Sequence, residues 1–201
     1  METTVSVAQR IPRLFTADEY LMIERQASSK SEFLHGTLYA MAGASETHIT
    51  LNFNLGLEVG PALRGTGCRA FGNDMKVCTS PDGLFAYPDL AIVCGDRQYH
   101  DLKKDVLLNP VALFEILSPS TAAFDRGEKF LLYQELLSLQ DYVLISQDTP
   151  RIEHYARGEN NLWLPTVAIG LQSSLTLSAV PVTLRLAIVY ENVVLPASGT
   201  P

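Results

Sequence analysis

Basic residues are scarce in this chain of 201 residues. Lys and Arg number 15 against 22 Asp and Glu, a formal net charge of −7, so blanket attraction to a nucleic-acid backbone is excluded. What survives is a local basic groove, or a set of carboxylates holding a divalent cation that in turn meets phosphate. Cysteine is scarce too. Cys68, Cys78 and Cys94 lie 10 and 16 residues apart, which matches neither a zinc pattern nor a disulfide framework, so three reduced, buried thiols are expected. Long apolar runs are missing: Val111 to Leu117 is broken by Glu115 and falls far short of the roughly 20 residues a membrane span needs. No membrane partner is expected. Met1 to Arg10 has no apolar stretch and its only basic residue at the end, so the expected compartment is the cytoplasm.

What the chain does have is material for a core, with 47% hydrophobic residues against 18% charged. That excludes global disorder, and the length fits one domain of moderate size. Residues 1–14 read as a loose arm, 15–195 as a single domain and 196–201 as a tail. Thr16 with Glu19 three residues on forms a capping box ahead of a short helix to about Gln26. Ser31 to Ala42 alternates around a turn at His35-Gly36, a hairpin whose first strand carries Glu32. Ser45 to Leu63 sets His48, Leu51, Leu55 and Val59 on one face of a long helix, unless Gly60-Pro61 breaks it earlier.

From Cys68 the pattern turns to β. One strand is expected over Arg69 to Thr79, then a turn at Pro81-Asp82-Gly83 and a strand from Phe85 to Cys94. After a charged linker from Gly95 to Asp105, Val111 to Leu117 reads as a buried central strand. Ala122 to Leu137 interleaves Phe124, Leu131, Leu132, Leu136 and Leu137 with charges, as an amphipathic helix does. Asp141 to Ser146, Arg151 to Ala156 and Leu162 to Val167 read as further strands before a Leu/Val-rich segment ending at Leu195. The order implies an α/β (α+β) fold with a mixed central β-sheet flanked by helices.

Two charges look out of place in this pattern. Asp89 follows Tyr87-Pro88 inside an apolar strand, and Glu115 interrupts Val111 to Leu117, where a buried carboxylate is costly unless paired or bound to metal. Alternation puts Glu115 on the face of Leu113 and Leu117. If its strand lies beside that of Asp89, the two carboxylates converge on one oxygen-loving cation such as Mg²⁺.

The succession Ser31-Glu32-Phe33-Leu34-His35-Gly36, then His48, then Tyr87-Pro88-Asp89-Leu90, then Phe114-Glu115-Ile116-Leu117-Ser118-Pro119-Ser120-Thr121, then Asp125-Arg126-Gly127-Glu128-Lys129 with Tyr133, resembles the Uma-two family of endonuclease-like proteins. That family belongs to the restriction-endonuclease-like PD-(D/E)XK superfamily. The resemblance implies a restriction-endonuclease-like core and a metal-dependent endonuclease. It implies Asp89 and Glu115 as metal ligands with the carbonyl of Ile116, and Mg²⁺ or Mn²⁺ as the cofactor. Lys129 would be the catalytic Lys, relocated from the strand position that Leu117 occupies, and Glu32 would match the family's early Glu. His48, Asp125 and Arg126 would support the site and Asp74 and Lys76 would flank it, with Lys76 itself reading as a solvated strand residue. Nucleic acid, DNA first, is the expected partner. A catalytically silent nucleic-acid-binding or protein-interaction module on the same fold is the alternative. A homodimer is expected from apolar surface on the helix from Ser45 and on the segment from Leu171 to Leu195.

Overall fold

The computed structural model describes residues 14–196. Apart from Leu14 and Pro196, the expected arm and tail lie outside the described residues, as does the segment Met1 to Arg10 from which the compartment was read. Helix α1 (Ala17–Glu24) opens with the expected capping box: the Thr16 hydroxyl accepts the Glu19 N–H and the Glu19 carboxylate accepts the Thr16 N–H. The hairpin is β1 (Ser31–Leu34) and β2 (Thr37–Ala40). His35 and Gly36 turn it at φ 46° and 87°, the left-handed pair that a two-residue hairpin loop uses. Helix α2 (Glu46–Ala62), capped by Ser45, runs through Gly60-Pro61 to its last turn and buries Leu51, Leu55 and Val59.

Each of the next two expected strands proves to be two. β3 (Cys68–Gly72) and β4 (Lys76–Cys78) divide the first, and β5 (Leu84–Ala86) and β6 (Leu90–Cys94) divide the second. In both cases the chain changes sheet at the break. The second break falls on Tyr87-Pro88-Asp89, where Pro88 has no N–H to give to a ladder. β7 (Val106–Leu107) completes a five-stranded sheet of order β2-β1-β5-β4-β7.

β8 (Ala112–Leu117) is buried at all six residues. The expected helix over Ala122 to Leu137 is also divided, into α3 (Ala122–Arg126) and α4 (Glu128–Tyr133), because Gly127 at φ −109° and ψ −102° leaves the helical region. β9 (Asp141–Ser146), β10 (Arg151–Arg157) and β11 (Trp163–Ile169) give a six-stranded sheet of order β11-β10-β9-β8-β6-β3. As expected, β8 is central; it is antiparallel to β6 and parallel to β9.

The segment after β11 forms the hairpin β12 (Ser174–Thr176) and β13 (Thr183–Arg185) and the short helix α5 (Leu186–Val189). Leu175, Leu177, Val180, Val182, Leu184 and Leu186 bury themselves with α2 in the main core. This segment is therefore mostly not the apolar surface expected of it. Helix α2 does keep such a surface, since Ile49, Phe53 and Leu57 are exposed.

The thiol expectation is overturned. Cys68 and Cys94 are register partners on β3 and β6 and form a disulfide, leaving Cys78 as a buried free thiol. Antiparallel pairing brought together two residues that spacing along the chain had kept apart. No described helix is long and apolar enough to cross a membrane.

Candidate active site

Asp89 stands where the chain passes from one sheet to the other. Its N–H bonds the Phe114 carbonyl at 3.0 Å, and its Oδ2 accepts the Ile116 N–H at 2.7 Å, so the side chain prolongs the ladder that β6 makes with β8. Backbone N–H and C=O of one strand residue point to the same side, which turns the Ile116 carbonyl toward Asp89 as well. From helix α2, His48 places Nε2 at 2.7 Å from Asp89 Oδ1. Gln147 steadies this corner: its amide donates to the Leu117 carbonyl at 2.9 Å and its Oε1 accepts the Ser45 hydroxyl at 2.8 Å.

Glu115 projects from the face of Leu113 and Leu117, as alternation requires. Its Oε1 lies 2.9 Å from Lys129 Nζ and accepts the Tyr133 hydroxyl at 3.0 Å. Lys129 reaches two more carboxylates, Glu32 Oε1 at 3.3 Å and Asp125 Oδ1 at 3.6 Å. Glu32 Oε1 also accepts the Tyr87 N–H at 3.1 Å. Asp89, Glu115, Ile116, Lys129, Glu32, His48 and Asp125 all line one cleft of about 930 Å³.

The electrostatics follow from burial first and the neighbouring charges second. Burial works against the Lys129 ammonium, but Glu115, Glu32 and Asp125 outweigh it and hold Lys129 well above the usual lysine range. Burial drives Glu115 well above the usual carboxylate range; Lys129 opposes this, and Asp125, Asp89 and Glu32 add to it. Asp125 is raised for the same first reason, with Lys129 again opposing. One ammonium thus serves three carboxylates, and Asp89 adds a further anion beside them. The cluster is short of positive charge.

Other expected residues fall elsewhere. Lys76 is neither solvated nor in the cleft: it is buried on β4, with Nζ 3.2 Å from both the Tyr87 hydroxyl and Asp105 Oδ2. Asp74 is exposed and pairs with Lys30 at 2.5 Å. Arg126 faces Glu153 on β10 at 2.9 Å and braces α3 against the sheet. The role of Gln147 left no mark in the sequence. Tyr133 belongs to the motif but carries no role there, although it stands one helical turn beyond Lys129.

Among the described residues, no three His, Cys, Asp or Glu side chains converge closely enough to cage a metal. Asp89, Glu115 and Ile116 line the same cleft, and oxygen is the donor type that a hard cation takes. Mg²⁺ is ordinarily held by one or two carboxylates, with water and phosphate filling the remaining positions. The residues present fit such an ion.

The Uma2 (Uma-two) family model, described as "Putative restriction endonuclease", matches residues 17–189. Two proteins of Synechocystis sp. (strain ATCC 27184 / PCC 6803 / Kazusa) are similar over most of their length. Uncharacterized protein sll1609 is 34% identical over 166 residues, covering 83% of this chain and 94% of that protein. Uncharacterized protein slr1290 is 31% identical over 184 residues, covering 90% and 93%. The crystal structure of "a putative nuclease belonging to DUF820" from Anabaena variabilis ATCC 29413 matches with a TM-score of 0.74 at 16% identity, over 90% of this chain and 99% of that one. At that identity the likeness is one of fold.

Proposed function

This chain belongs to the Uma2 family and has the restriction-endonuclease-like fold, and from that premise we propose that it is a metal-dependent nuclease hydrolysing phosphodiester bonds in DNA. The observation that carries the reading is the meeting of Asp89 and Glu115, from different segments of the chain, in one cleft with the Lys129 ammonium 2.9 Å from Glu115. Asp89, Glu115 and the Ile116 carbonyl would hold Mg²⁺ or Mn²⁺. The chemistry supplied by such an ion is Lewis-acid polarisation of phosphate and a more acidic water.

The chain's own residues prepare the rest. Leu117 points to the same face as Glu115, so a Lys there would aim into the site; Lys129 brings its ammonium to that place from α4 instead. A fixed positive charge where negative charge develops on phosphate stabilises the transition state. Glu32, tied to the Tyr87 N–H, and Asp125 align that ammonium, and Tyr133 orients Glu115. His48 holds Asp89 in place.

Nicking of supercoiled plasmid in Mg²⁺ or Mn²⁺ tests the proposal. Asp89→Asn and Glu115→Gln are each expected to abolish nicking with the circular dichroism spectrum unchanged, and retained cleavage in either variant overturns the assignment. Calorimetric titration should show Mn²⁺ binding that both variants weaken. One observation favours the silent-module alternative: both oxygens of Asp89 are already hydrogen-bonded and Lys129 already fills the space among three carboxylates. That alternative predicts neither nicking nor uptake of Mn²⁺. The homodimer belongs to the same proposal and now rests on Ile49, Phe53 and Leu57 of α2. Sedimentation velocity of Phe53→Asp against the parent is its test.

A further inference from the structure

We propose that the cleft admits an unpaired nucleotide whose base stacks on Tyr39, so that the strand cut is single-stranded or locally opened rather than fully paired. The inference rests on the nuclease reading and names its substrate class. It begins with the hairpin register. The two-residue turn at His35-Gly36 makes Glu32 the direct partner of Tyr39, and directly opposed residues project from the same face with Cβ atoms about 5 Å apart. Glu32 reaches Lys129. Tyr39 is therefore the neighbouring side chain to the carboxylate cluster, one strand further out, on edge strand β2.

Among the tyrosines it is the exposed one. Tyr20, Tyr87, Tyr133, Tyr142 and Tyr190 are buried, whereas Tyr39 is 53% exposed. Neither its ring nor its hydroxyl has a partner among the described residues. Met41, just beyond the strand and 37% exposed, extends the same apolar wall of the cleft. An unpartnered ring beside a candidate phosphodiester site offers a stacking platform.

Charge points the same way. Duplex binding leans on a row of Lys and Arg contacts to phosphates, yet among the described residues lining the cleft the only such cations are Lys30 and Lys129. Lys30 is engaged by Asp74 and the Asn73 carbonyl, and Lys129 by three carboxylates. Single strands are held without sequence preference by base stacking on aromatic side chains beside a cationic groove, and with both lysines engaged the stacking component is the one this cleft offers.

The test uses the full chain in Ca²⁺, with an oligodeoxynucleotide carrying one 2-aminopurine, offered as a single strand or annealed to its complement. The single strand is expected to bind with quenching of the 2-aminopurine, and the duplex to bind about tenfold more weakly or worse. Tyr39→Ala should lose about fivefold to 150-fold in single-strand affinity. Tyr39→Phe should keep that affinity, because stacking needs the ring and not the hydroxyl. Thermal melting should be the same for all three proteins. Equal binding of strand and duplex, or parental affinity in Tyr39→Ala, overturns the inference, and plasmid nicking that persists alongside leaves the nuclease reading standing. Single-strand binding with quenching that Tyr39→Ala removes, in a chain that never nicks DNA, upholds the stacking site and sinks the nuclease reading. Binding of neither form sinks both.

Discussion

Strands β8 and β9 carry two buried carboxylates toward opposite ends of their pairing, Asp141 opposite Ala112 and Glu115 opposite Leu144. Asp141 accepts the Ser178 N–H at 2.9 Å, the Ser178 hydroxyl at 2.6 Å, the Ala179 N–H at 2.9 Å and His154 Nε2 at 2.7 Å. Burial alone would raise it, but His154 and Ser178 outweigh that and hold it below the usual carboxylate range. Glu115 has the Tyr133 hydroxyl and a lysine shared with two other carboxylates, and burial takes it the other way. Within one sheet, the carboxylate with enough donors is scaffold, pinning the segment between β12 and β13 to the sheet. The one left short of positive charge is where a bound cation would gain most.

The sharpest way to break this comparison is to remove the well-served carboxylate. Asp141→Ala leaves His154 buried without its acceptor and should cost about 3 to 5 kcal/mol, read by urea denaturation, with nicking by the folded fraction retained. Lys129→Ala tests the other end: single-turnover nicking should fall about 100-fold, and Leu117→Lys added to it should restore part of the rate. Full activity in Lys129→Ala would return that residue to a structural role.

Stability against pH sharpens the contrast. A carboxylate held low in the fold contributes stability that is complete above its unfolded value and is lost as pH falls through the folded one; for a carboxylate held high the fold loses stability as pH rises above the unfolded value. In metal-free buffer, Glu115→Gln should therefore gain on the parent in melting temperature as pH rises above 4.5. Asp141→Asn should do worst at neutral pH and approach the parent in acid. The smallest effect belongs to Asp105, which the Arg25 guanidinium, helped by Lys76, holds at about 2. Asp105→Asn should flatten only the acid limb of the stability profile, from about pH 4 down to about pH 2, as followed by circular dichroism.

Much of this was legible locally. Asp89 and Glu115 stand out because a carboxylate in an apolar run has to be explained, and the capping box at Thr16, the turn at His35-Gly36 and the buried face of α2 are written in short-range patterns. The burial of Lys129 was not, since helical periodicity assigned its turn to a continuous surface helix and gave no weight to Gly127. Lys76 was misread for the same kind of reason: strand alternation says which side chains share a face, not that a Tyr87 hydroxyl and an Asp105 carboxylate wait on that face.

The sequence by itself determined α1 and its capping box, the hairpin of β1 and β2, α2, the buried strand β8 and which charges could not be ordinary surface. Those properties depend on neighbours within a few positions, through backbone sterics, capping and the periodicity of burial. Only the tertiary structure decided that Pro88 ends one sheet and begins another, that Cys68 meets Cys94, that the segment after β11 covers the core, and that Glu32, Asp89, Glu115, Asp125 and Lys129 share one cleft. Each of these depends on strand register and packing between residues far apart in the chain, and burial energy rewards many such pairings alike until the whole fold selects one.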